Sequence, residues 1–152
     1  MTKITVEQLL MGRVTLASLP QVVQANLKAL VYRVNSLYSL GMPVTKINDG
    51  YRRPRDTPAN GSKTSMHLHG AAIDLDDDEK GTLWEWVKDH LAALKSQGLW
   101  VEDPRWTHGP IGTWVHLQCY PPRSGKRVFI PSSALASAPE IWDGSYPTSL
   151  DK

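Results

Sequence analysis

Residues Ser65–Asp77, "SMHLHGAAIDLDD", set two histidines and three aspartates around a single glycine. The residues after Ala72 alternate apolar and polar, the period of a half-buried strand. Gly70 is placed to turn the chain into it. His67 and Asp74 then lie on either side of the turn, and an imidazole and a carboxylate are both common metal ligands. A polar turn leading into an ordinary strand is the competing reading. His116, in the middle of a second alternating stretch, "TWVHLQCY", is the natural third ligand, and Trp114, His116 and Gln118 share one strand face. Cys119 falls on the other face.

Upstream, "VTKIND" at residues 44–49 reads as a short strand. "GYRRPRDTPANGSKTS" reads as a long surface loop leading into the histidines. Thr5 with Gln8 resembles a capping box, with Gly12 as the stop, and Ser18 with Gln21 repeats the pattern. Val23, Leu27, Leu30, Val31, Val34, Leu37 and Tyr38 recur at helical spacing and end at Gly41 and Pro43. Downstream, residues 80–97 read as one helix with Leu83, Trp86, Val87, Leu91 and Leu94 on a face and Gly98 as its cap. "LWVED" and "TWVHLQCY" read as a hairpin with a long loop. Residues 121–152, rich in Pro and Ser, read as an irregular strap fastened by Val128, Phe129, Ile130 and Trp142. Asp76, Asp77 and Asp78 read as charge at the start of a helix, which the macrodipole favours. The whole predicts a single α+β domain over 1–152, with helices packed on a small, mostly antiparallel sheet.

Composition bounds the function. The chain has 152 residues, 41% hydrophobic and 21% charged, with a formal net charge of +2. That balance gives no reason to expect nucleic acid as a partner. No apolar run approaches a membrane span, and the first twenty residues lack a secretory signal pattern. Synthesis in a cytoplasm is the expectation, with no membrane and no obligate protein partner evident. The lone cysteine excludes an internal disulfide. Six tryptophans suit core packing first and a ligand groove second.

"SMHLHGAAIDL" resembles, position for position, the Ser-x-His-x-x-Gly-x-Ala-x-Asp pattern of the zinc D-Ala-D-Ala peptidases, carried here by Ser65, His67, Gly70, Ala72 and Asp74. That family includes vancomycin-resistance-type dipeptidases and carboxypeptidases and phage L-alanyl-D-glutamate endolysins, and it shares the Hedgehog fold. "GYR" at Gly50–Arg52 is similar to its arginine segment and "TWVHLQ" to its final tryptophan–histidine element; the likeness spans about residues 40–120. It implies Zn2+ held by His67, Asp74 and His116, and a substrate site with Arg52, Ser65 and Trp114. Arg53 and Arg55 compete with Arg52. The implied substrate is a peptidoglycan stem peptide, cut at the cell wall by a carboxypeptidase or endopeptidase released in phage or prophage lysis, or carried on a virion. His69 lies outside the pattern.

One departure stands out. The family carries a glutamate or aspartate three residues before the last histidine, and related enzymes a histidine two before it; here these positions are Thr113 and Trp114. If Glu102 faced Trp114 across the hairpin, it would share the face of His116. Glu102 is therefore the expected proton carrier, with His108 second and Asp103 directed away. A zinc-containing module of the same fold that has lost catalysis is the alternative. A chance motif in an unrelated α+β protein is the third reading.

Overall fold

Thr5 accepts a hydrogen bond from Gln8 N–H and the Gln8 side chain accepts one from Thr5 N–H, so the capping box forms and opens helix α1, Val6–Leu9. The computed structural model describes residues 3–58, 65–110 and 112–131. Helix α2, Gln21–Ser39, follows a short 3-10 turn at Leu16–Ser18. The second capping box does not form. Pro20 precedes α2, and the Ser18 hydroxyl donates instead to Thr15 O at 2.7 Å. Proline at that point fixes the entry angle without a side-chain cap.

The stripe on α2 packs as its period requires: Val23, Leu27, Leu30, Val34 and Leu37 are buried. They meet Ile73, Leu75, Val101, Val115 and Leu117 from the sheet in one hydrophobic core. The sheet contains β1 (Ile47–Asp49), β2 (Ala72–Asp77), β3 (Trp100–Glu102), β4 (His108–Gly109), β5 (Gly112–Gln118) and β6 (Val128–Phe129). Its order is β1-β2-β5-β3-β6, with β4 also on β5. The β3–β6 pair is parallel and the other pairs are antiparallel, so the architecture is α+β with a mixed sheet.

Three expectations are corrected. The helix over 80–97 is two helices, α3 (Thr82–Asp89) and α4 (Leu91–Gln97). His90 breaks it: the residue leaves the helical region at φ −124°, its Nδ1 hydrogen-bonds Trp86 O at 2.6 Å, and its ring stacks on Trp86 at 3.8 Å. An imidazole bonded to its own helix backbone competes with the next turn. Val128–Ile130 form no irregular strap. Their buried side chains bring the chain back as β6 beside β3, with Asp103 N–H donating to Phe129 O at 2.8 Å. Trp142 lies outside the described residues. The hairpin register also differs: Val101 opposes Leu117, because β4 pairs with the start of β5 and leaves β3 to its far half. Among the described residues, no helix is long and apolar enough to cross a membrane.

Candidate metal centre

Asp74 and His116 are direct cross-strand partners on β2 and β5. His67 reaches them from a 3-10 turn, Met66–His69, capped by the Ser65 hydroxyl, which accepts the His67 N–H. The turn closes on Gly70 at φ +68°. A Cβ there would lie 2.8 Å from Leu27 Cγ, so both the backbone and the helix behind it require glycine. His67, Asp74 and His116 form a buried group whose ligand atoms lie within 4.8 Å of one another, and this group can hold a metal ion.

The hydrogen bonds decide which atoms face the centre. His67 Nδ1 lies 2.7 Å from Gly50 O, an acceptor, so that nitrogen carries the proton and Nε2 points inward, 3.2 Å from Asp74 Oδ2. His116 Nε2 lies 3.0 Å from Gln118 Oε1, and Gln118 Nε2 donates to Tyr120 O, which fixes the amide orientation. His116 therefore points Nδ1 inward, 2.8 Å from Asp74 Oδ1. Each ligand imidazole thus has its outer nitrogen occupied, the arrangement that orients metal-ligating histidines. Two imidazole nitrogens and a carboxylate oxygen are donors that a divalent transition metal accepts, so the chemistry of the group suits such an ion.

The charges agree with the geometry. Burial pushes the Asp74 carboxyl upward, but the charge of His67 and the hydrogen bonds from both imidazoles prevail and hold it well below the usual carboxylate range. Burial works against a charged His116, yet the Asp74 bond and the carboxylates of Asp74 and Glu102 raise it to about 9. A proton on Nδ1 therefore occupies the position that a metal would take.

Glu102 ends β3 on the same face, 3.9 Å from His116 Nδ1 with its side chain 14% exposed. Burial is the main reason its carboxyl rises to about 7; His116 pulls it down, while Asp74 and Asp103 push it up. The assumed pairing with Trp114 is not formed. The actual register is shifted by two residues, which preserves the face. Thr113 opposes Asp77 and faces away from His116, since strand residues three apart lie on opposite faces. His108 is exposed on β4. Asp103 is buried and bound to Arg105.

Arg52 is anchored by Asp49, whose Oδ2 accepts from Nε at 3.0 Å and Nη2 at 2.6 Å. Asp49 Oδ1 accepts from Arg13 at 2.8 Å. Arg53 is instead committed to Asp56. Beneath the arginine, Arg52 N–H donates to His67 O at 3.0 Å. Cys119 is buried in the hydrophobic core and does not join the group. The His69 carbonyl accepts from Asn26, and its ring is outside the group. Asp77 and Asp78 cap α3, accepting the N–H groups of Leu83 and Trp84 and of Thr82. The sequence reading missed Gln118 and Asp49 as holders of His116 and Arg52. Their signal was present: Gln118 alternates with His116, and Asp49 lies one residue ahead of "GYR". No protein-family model, curated protein or solved structure matches the chain.

Proposed function

We propose that the chain is a zinc-dependent peptidase of the Hedgehog/DD-peptidase type that cleaves peptidoglycan stem peptides. The observation that carries this reading is a buried His–Asp–His group with both imidazoles locked from outside and a carboxyl of raised pKa beside it. The motif around Ser65–Asp74 supports the family, and Glu102, on the face of His116, is the carboxyl we assign the role that Thr113 cannot fill. When bound, zinc supplies Lewis acidity toward a scissile carbonyl and lowers the pKa of a coordinated water.

The chain's own residues supply the rest. Glu102 stands 3.9 Å from His116 Nδ1, so its carboxylate can take a proton from the attacking water and return it to the leaving amine. Arg52 binds a substrate carboxylate: Nε and Nη2 are occupied by Asp49, and Nη1 makes no bond among the described residues. Ser65 and Trp114 complete the substrate site we assign. Gly50 O and Gln118 keep the imidazoles oriented, and Asp74 completes the metal group.

Zinc content together with hydrolysis of purified peptidoglycan tests the reading. One zinc per chain and release of free amines are expected. Glu102→Gln should retain zinc and lose about 10²–10⁴-fold in rate. Stoichiometric zinc with no hydrolysis at any pH would instead establish a binding module, the reading that Thr113 favours.

A further inference from the structure

The Asp74–His116 pair has a neighbour. Two steps along the same strands, Asp76 opposes Trp114, and side chains two apart share a face. This second pair therefore stands about 6.6–6.8 Å along the strands from the metal pair, on the metal face. Both residues are partly exposed.

Asp76 differs from the other aspartates of the sheet. Asp49 holds two arginines, Asp74 joins both imidazoles, and Asp77 caps α3. The Asp76 carboxylate accepts no hydrogen bond and forms no ion pair among the described residues; only its backbone is engaged, to Lys46 O at 2.9 Å. The Lys46 side chain is exposed and makes no ion pair among them either.

Trp114 is the opposite kind of group, an aromatic surface packed on a neighbouring segment. Its backbone N–H donates to Thr107 O at 3.0 Å, which seats the strand rather than the ring. Its ring lies over the Gly109 backbone, 3.6 Å from where a Cβ would be. An indole packed on Gly109, cross-strand from a carboxylate with no partner among the described residues, offers the two features that attract an organic cation. The ring quadrupole attracts the charge, and the carboxylate accepts its hydrogen bonds.

We propose that Asp76 and Trp114 form a subsite for an ammonium-bearing side chain of the peptide, next to the bond presented to the metal group. The choice of a peptide as ligand rests on the function proposed above; the cation preference rests on the pair itself. Arg52 and this pair then recognise opposite charges, so a bound peptide has one direction along β2 and β5.

Binding is measured by titration calorimetry on the zinc-loaded full chain carrying Glu102→Gln, so that peptides stay intact. The probes are a stem tetrapeptide with lysine at its third position and the same peptide with Nε-acetyl-lysine. The lysine form should bind about fivefold more tightly, the scale of one partly exposed cation–π contact with an ion pair. Adding Asp76→Asn or Trp114→Leu should abolish most of that preference, and Lys46→Met should preserve or increase it. Equal affinity for the two probes, a preference that survives Asp76→Asn, or binding of neither probe overturns the subsite. Preference for lysine in a protein whose Glu102 form never hydrolyses either peptide would defeat the peptidase reading and leave the subsite standing.

Discussion

Asp74 and His116 face each other across the β2–β5 ladder, and His116 Nδ1 donates to Asp74 Oδ1 at 2.8 Å. The third member, His67, arrives from a turn seven residues before Asp74. Replacing His67, Asp74 or His116 by alanine should therefore remove stoichiometric zinc. Metal analysis after dialysis checks this; full retention in all three variants would dismiss the site.

Gln118 should matter although it touches no metal. Its Oε1 holds His116 Nε2–H at 3.0 Å and so leaves Nδ1 free to ligate. Gln118→Leu removes that bond, and losses of about 10–100-fold in metal affinity are typical for such partners. Competition with a chromophoric chelator measures it. An unchanged affinity would mean that ring packing alone orients His116.

Between about pH 4.5 and 9 the stability of the metal-free protein should fall as pH rises. Glu102 has its folded value raised from 4.5 to about 7, so its contribution is complete below pH 4.5 and lost by about pH 7. His116 is raised from 6.5 to about 9, so its contribution is lost between those values. The Glu102 part is on the order of 3 kcal/mol. Urea melts of the metal-free protein should show the decline, and Glu102→Gln should flatten it between pH 4.5 and 7. A stability that climbs across that range would contradict the burial of Glu102.

Gly70→Ala should destabilise by about 2–4 kcal/mol, combining a left-handed backbone with overpacking against Leu27. Thermal or urea unfolding checks the size. Because Gly70 closes the turn that presents His67, zinc affinity should fall with it.

Much of this was legible from short-range pattern. Thr5 and Gln8 sit three apart and cap; Val23 to Leu37 recur at one helical face and bury. The spacing around Gly70 brought His67 and Asp74 together because a turn followed by a strand leaves little geometric choice. What escaped depended on pairing between distant segments. The β3–β5 register turned on whether β4 would take the start of β5, and nothing local to Glu102 encodes that. Two residues at Val128–Phe129 are too few to show alternation, and only their partner β3 makes them a strand. The break at His90 depends on its ring stacking back on Trp86, which apolar periodicity does not register.

Gly50 joins three parts of the molecule. A side chain there would fall on the Leu9 carbonyl oxygen, Tyr51 N–H donates to that oxygen at 2.7 Å, and Gly50 O receives His67 Nδ1–H. The tautomer of a ligand histidine is thus set by a peptide whose position depends on helix α1. A chain frayed at its first helix holds the ligand residues without their arrangement. Metal affinity should then depend on a formed α1. By reciprocity, the loaded centre should slow proteolysis of the segment ahead of α2, far from any ligand.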